Sequence, residues 1–206
     1  FGIPRQAGLV EELESYIVFE DDYKNPDALR GIEGFDYIWV LWIFSENQRD
    51  KYSPTVRPPR LGGNERVGVF ATRSPFRPNN IGLSCLKLEG IDQVDGRLAL
   101  KVRGGDLMDG TPILDIKPYI PYTDAHPGVR GGFSEEHRDY ELEVQVSEEL
   151  LEKVREDKRE ALLGLLAQDP RPAYKKEGQT TYGLSFAGYE VKFLVEEGVL
   201  KVVQIS

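Results

Sequence analysis

The chain has 206 residues, 40% of them hydrophobic and 30% charged, which suits one large globular domain or one domain with a small companion, with enough apolar area for a core. A single cysteine excludes an internal disulfide and a cysteine metal cluster, and no apolar run approaches the roughly 18 residues that a membrane-spanning helix needs. A formal net charge of -9 argues against bulk binding to nucleic acid but leaves room for a local basic footprint. The expectation is a soluble protein of a reducing cytosol, with no signal peptide.

Residues 1–8, FGIPRQAG, read as a loop, because Pro4 restricts Ile3 to extended geometry. Arg5 and Gln6 stand side by side there. They offer planar donors to a carboxylate, a phosphate or a base edge, or are plain surface groups of a terminus. Residues 9–19 carry acids among apolar side chains and fit helix or strand. Asn25, Pro26 and Asp27 start a turn that leads into a short helical piece ended by Gly31. Residues 37–44, YIWVLWIF, are continuously apolar, aromatic and β-branched, which predicts a strand buried on both faces with Trp39 and Trp42 in the core. Ser45, Glu46 and Asn47 follow where this strand leaves the core.

Residues 53–84, SPTVRPPRLGGNERVGVFATRSPFRPNNIGLS, hold Arg57, Arg60, Arg66, Arg73 and Arg77 against one carboxylate, Glu65. Prolines at 54, 58, 59, 75 and 78 make most of the stretch stiff loop, and only residues 68–72 read as a strand. A stiff basic loop beside a strand suits an anionic ligand; the alternative is a surface loop that pairs with the chain's own carboxylates.

Residues 81–88 read as a strand, 91–98 as a hairpin turning at Asp95-Gly96, and 98–102 as its return. A second tight turn at Asp109-Gly110-Thr111-Pro112 leads into a strand over 113–117 that prolines stop. Asp115 and Lys117, two apart, face the same side. Many short strands with regular turn signals predict a mainly β, antiparallel barrel core. Residues 147–168 predict one amphipathic helix capped by Ser147, with Leu150, Leu151, Val154, Leu162, Leu165 and Leu166 on one face. Residues 169–174, DPRPAY, are proline-framed, and 189–194 with 199–205 form a hairpin around Glu197-Gly198. Residues 1–134 therefore read as the barrel domain and 135–206 as a small α+β domain.

Catalytic signatures are mostly absent. There is no Gly-x-Ser-x-Gly elbow, no Walker loop and no GxGxxG. His126 and His137 are too few for a zinc site, so no metal is expected. Cys85, between Ser84 and Leu86 in an apolar strand, reads as a core thiol. What remains is a set of loops rich in planar hydrogen-bonding groups and poor in nucleophiles. Such a site positions a polar ligand and lets the ligand supply reactivity.

The segments FGIPRQ, SPTVRPPRLGGNERVGVFATRSPFRPNNIGLS, DGTPILDIKPYIPYTD and DPRPAYKKEGQTTYGLSFAGYEVKF resemble the TrmO/YaeB (TsaA-like) family. The resemblance implies a non-Rossmann methyltransferase: a β-barrel core, a small C-terminal domain, a homodimer, and S-adenosylmethionine as methyl donor. It also implies methylation of N6 of N6-threonylcarbamoyladenosine at position 37, in the anticodon loop of threonine tRNA. The family pattern has a further strand ahead of FGIPRQ, and a histidine near the point where this chain has Ser45. By resemblance, Pro4, Arg5, Gln6, Ser45, Glu46, Arg73, Leu83, Asp109, Gly110, Thr111 and Pro112 contact the donor. Asp115 is the candidate base, with Lys117 orienting it or binding the substrate's carboxylate; a purely structural pairing with Lys117 or Arg73 is the alternative. Arg57, Arg60 and Arg77 are expected to face RNA, and Tyr119, Tyr122 and Tyr174 either stack bases or pack. The competing reading is a non-catalytic nucleotide- or RNA-binding barrel module.

Overall fold

A computed structural model describes residues 2–47, 52–58, 65–137, 140–171 and 180–206. Arg60 and Tyr174 lie outside the described residues. In chain order the strands are β1 (Glu14–Val18), β2 (Tyr37–Ile43), β3 (Thr55–Val56), β4 (Val67–Gly68), β5 (Ile81–Val94) and β6 (Arg97–Arg103). Then come β7 (Ile113–Pro118), β8 (Glu143–Gln145), β9 (Tyr182–Phe186), β10 (Tyr189–Glu196) and β11 (Val199–Ile205). The helices are α1 (Pro121–Asp124), α2 (Glu148–Glu152) and α3 (Glu156–Ala167). No described helix is long and apolar enough to cross a membrane. The chain groups into two compact units that are not split at one point in sequence. One comprises Phe1–Pro4, Glu46–Asn80 and Val129–Ser206, the other Arg5–Ser45 and Ile81–Gly128. The basic stretch thus clusters with the C-terminal residues, whereas a boundary at 134 would place it with the first domain.

The unit of 5–45 and 81–128 is built on an antiparallel sheet in the order β1-β6-β5-β2-β7. Alternation along β2 and β5 decides its core face. Ile38, Val40 and Trp42 on β2 bury against Leu86 and Leu88 on β5, with Ile17, Leu100 and Val102. The expectation that 37–44 is buried on both faces is corrected: Tyr37 is exposed, and Trp39, Leu41 and Ile43 are only partly covered. A continuous apolar run cannot distinguish two covered faces from one plus an aromatic outer face.

Residues 81–94 form one long strand, not a strand followed by a hairpin arm, because a register shift between Leu88 and Gly90 absorbs the irregularity. Asp95 and Gly96 both have positive φ, 51° and 75°, as the two-residue turn requires. Among the described residues the pairing leaves β1 and β7 as the edges of this antiparallel sheet, with no ladder between them that closes the expected barrel.

In the other unit, β8-β11-β10-β9 form a second sheet in which β8 runs parallel to β11. The single helix expected over 147–168 is two. Ser147 caps α2 as predicted, its Oγ accepting from Leu150 N at 3.4 Å. Arg155 then turns extended, with φ -52° and ψ 139°, while Val154 is 1% exposed. The break leaves backbone groups to satisfy. Arg155 N donates to the Tyr189 hydroxyl at 3.2 Å, and the Val154 carbonyl accepts from Arg159 Nε at 2.9 Å. A tertiary partner thereby offsets the lost helical bonds. The strand expected at 68–72 is instead β4 followed by a 3-10 turn at Val69–Ala71. Thr72 holds that turn by donating from both N (3.1 Å) and Oγ1 (2.8 Å) to the Val69 carbonyl.

Candidate functional site

Several predicted loops converge at one end of the first sheet, where β2 finishes and β5 and β7 begin. The Ile43 N–H donates to the Pro112 carbonyl at 3.0 Å and ties the Asp109–Pro112 turn to the end of β2, next to Ser45. Gly110 has φ 74°, so the turn needs glycine there. Thr111 closes it by donating from N (3.2 Å) and Oγ1 (2.7 Å) to the Met108 carbonyl. The loop carrying Arg5 and Gln6 is held by Gly8 N, which donates to the Gly104 carbonyl at 2.9 Å. Gly104 has φ 75°, and a Cβ there would press on the Gly8 backbone at 3.3 Å.

A buried chain of hydrogen bonds spaces these loops. Trp42 Nε1 donates to Ser84 Oγ at 2.9 Å, and Ser84 Oγ donates to Asp106 Oδ1 at 2.5 Å. Ser84 is 1% exposed. The chain links the end of β2, the start of β5 and the segment between Gly104 and Asp109. Sequence reading missed it, since a serine within an apolar strand has no pattern that names its partner.

The register places Leu83 opposite Leu41, and Leu41 opposite Asp115. Directly paired residues share a face, and neighbouring strands lie about 4.8 Å apart, so Leu83 and Asp115 stand on one face about 10 Å from each other. Leu83 is 47% exposed on that face, unusual for a leucine in a central strand. Lys117 Nζ pairs with Asp115 Oδ2 at 2.7 Å, and Asp115 also accepts from Ile116 N at 2.9 Å. The Lys117 hydrogen bond, and then the Ile116 one, hold the Asp115 carboxyl below the usual carboxylate range. The two groups are paired, as their spacing predicted.

In the next row Trp39 lies between Cys85 and Lys117. Its Nε1 donates to Asp124 Oδ2 at 2.8 Å, and Ile120 N donates to the same oxygen at 2.9 Å. These bonds, the backbone one first, lower the Asp124 pKa. The Tyr119 ring packs at 5.8 Å from Trp39 and 6.3 Å from Tyr37. Tyr122 is 87% exposed. Burial pushes the Cys85 thiol pKa up, which keeps it protonated and a poor nucleophile, as its sequence context suggested.

Pro4, Glu46, Arg57, Arg73 and Arg77 belong to the other unit. Arg57, Arg66 and Arg73 are exposed, and Arg66 Nη1 donates to Thr55 Oγ1 at 2.7 Å. Arg77 is partly buried; its Nη1 donates to the Thr72 carbonyl at 3.0 Å, and its guanidinium lies 5.9 Å from the Phe70 ring centre.

Family models cover almost the whole chain: residues 1–125 match the tRNA-methyltransferase O N-terminal domain and residues 139–206 the TrmO C-terminal domain. The chain is 39% identical over 214 residues to a tRNA (adenine(37)-N6)-methyltransferase of Escherichia coli (strain K12), covering 100% of this chain and 91% of the relative. A Pseudomonas aeruginosa relative, 42% identical over 192 residues (89% of this chain, 81% of its own), carries a name for S-adenosylmethionine-dependent methyl transfer. The crystal structure of TrmO from Pseudomonas aeruginosa superposes with a TM-score of 0.75 at 33% identity, covering 100% of this chain and 91% of that one.

Proposed function

The chain belongs to the tRNA-methyltransferase O family, and on that premise we propose that it methylates N6 of N6-threonylcarbamoyladenosine at position 37 of threonine tRNA. It is an S-adenosylmethionine-dependent tRNA methyltransferase. The carrying observation is the match along the full chain to a relative named for N6 transfer at adenine 37. Residues 1–134 serve as the catalytic part and 135–206 as its companion. A homodimer, a barrel-like closure of the first sheet and a cytoplasmic location complete the reading.

The donor set suits the cofactor. S-adenosylmethionine combines an amino-acid zwitterion, a ribose and an adenine, and when bound it supplies an activated methyl group. Arg5 and Gln6 offer donors to its carboxylate; Asp109 and Thr111 suit ammonium and hydroxyl groups; the exposed Leu83 supplies apolar surface. Ser45 and the Gly110–Pro112 backbone complete this set, and the family resemblance adds Pro4, Glu46 and Arg73 as donor contacts. The chain's remaining tasks are to orient the adenine and to take the N6 proton. Asp115 accepts that proton, and Lys117 keeps the carboxylate ionised. Arg57, Arg60 and Arg77 face the RNA.

The test is transfer of label from the donor to threonine tRNA with and without the threonylcarbamoyl group. Label on modified tRNA alone is expected; donor binding with no transfer would reduce the chain to a binding module. D115N should lower kcat about 100-fold, the usual scale for a lost general base. K117A removes the largest cause of the depressed Asp115 pKa, so the acid limb of the kcat/KM profile should move to higher pH. A profile identical to wild type would leave Asp115 as a structural partner of Lys117.

A further inference from the structure

Phe70 is 74% exposed, although it sits in the middle of a tightly bonded segment. Its neighbour Val69, 1% exposed, anchors the turn from below, and Val69 N donates to the Pro54 carbonyl at 3.0 Å. On the other side the Thr72 bonds close the turn, Ser74 N donates to Thr72 Oγ1 at 3.2 Å, and Phe76 N donates to Ser74 Oγ at 3.3 Å. The backbone under the ring is therefore fixed. The Arg77 guanidinium, itself held on the Thr72 carbonyl, lies 5.9 Å from the ring centre and sets a cation beside it. A second exposed ring shares the scaffold: Tyr52, 53% exposed, precedes Ser53, whose N–H donates to the Phe76 carbonyl at 3.2 Å. Arg57, Arg66 and Arg73 give the same segment its positive surplus.

A large apolar ring held out into water on a stiff backbone gains nothing for the fold. Preorganised aromatics amid arginines are what an unpaired nucleobase requires: every base has a π-face, the ring loses little freedom on stacking, and the cations meet the phosphates. We propose that Phe70 is a stacking platform for an unpaired base of the substrate tRNA's anticodon loop, with Arg77 as its positioning residue. This rests on the tRNA reading above and adds the subsite that reading lacks. It also changes Arg77 from a phosphate contact into a group that orients an aromatic.

The experiment measures affinity of the full chain for an anticodon stem-loop RNA and for a fully paired RNA of equal length, across a salt series. F70A should weaken stem-loop binding by about tenfold or more, the scale of one lost base–aromatic stack. It should leave the paired RNA, the salt slope and the KM for S-adenosylmethionine unchanged, because phenylalanine carries no charge. F70W should restore binding and F70L should not, since leucine keeps apolar area but has no π-face. R57A, in contrast, should flatten the salt slope. Stem-loop affinity of F70A within twofold of wild type, rescue by leucine, a loss confined to S-adenosylmethionine, or an altered oligomeric state would each overturn the proposal. A wild-type chain that neither binds the stem-loop nor methylates tRNA would instead overturn the reading beneath it.

Discussion

Replacing Gly82 with alanine is expected to lower the melting temperature by roughly 5–10 °C and to weaken S-adenosylmethionine binding more than tenfold. A Cβ on Gly82 would lie 2.5 and 2.6 Å from Cζ2 and Cδ2 of the Trp42 indole. The indole cannot retreat cheaply. Trp42 is 7% exposed, its ring packs against Phe44 at 4.2 Å with the planes tilted by 57°, and its Nε1 is committed to Ser84. Overpacking of this kind costs about 1–3 kcal/mol. The functional cost follows from what the indole holds. Moving it breaks the link to Ser84 and Asp106 and shifts the end of β2, where Ile43 pins the Asp109–Pro112 turn. Gly183→Ala is the control, because a Cβ there meets nothing within 4 Å. A G82A chain that melts and binds like wild type would show that this end of the sheet does not shape the donor site.

The second large effect is on stability alone. Asp169 is 9% exposed and holds Arg171 through two bonds, Nε to Oδ1 at 2.7 Å and Nη2 to Oδ2 at 2.9 Å. The Tyr140 hydroxyl donates to Oδ2 at 3.0 Å. D169N preserves shape and suits the left-handed φ of 51°, which asparagine tolerates, but it removes the carboxylate charge that faces Arg171 in a site where the arginine side chain is 12% exposed. Breaking a buried pair from one side costs about 3–5 kcal/mol, so the melting temperature should fall by roughly 10 °C.

The pH dependence has a definite sign. Burial alone would raise the Asp169 pKa, but the Arg171 and Tyr140 bonds outweigh it and the net shift is downward. The wild-type advantage is therefore complete above the ordinary carboxylate value of about 3.9 and fades as pH falls through the lower folded value. The gap between wild type and D169N should close in that acid range. A gap that persists to the lowest pH would mean the stabilisation comes from packing and not from the charge.

Local chemistry made much of the fold legible. Asp95-Gly96 demanded its turn, Ser147 its cap, and the 189–205 hairpin followed from alternation about Glu197-Gly198. The Asp115–Lys117 pairing was readable too, since a spacing of two on a strand fixes the shared face. What misled was any run whose periodicity was uninformative. The apolar run at 37–44 could not say that its odd positions face outward. The 147–168 helix pattern carried no sign of the break at Arg155, which depends on a hydroxyl 34 residues away.

The sequence by itself determined the class of element at most positions, the basic and proline-stiffened character of 53–84, and the motifs that carry the family. Those depend on single residues and near neighbours, so they are written in order along the chain. Tertiary structure alone decided that Trp42, Ser84 and Asp106 form one hydrogen-bonded chain and that Leu83 and Asp115 share a face across β2. It also decided that Arg77 sits beside Phe70 while Phe70 stays in solvent. Such relations depend on strand order and register, which long-range packing selects from many pairings that local preference leaves nearly equal in energy.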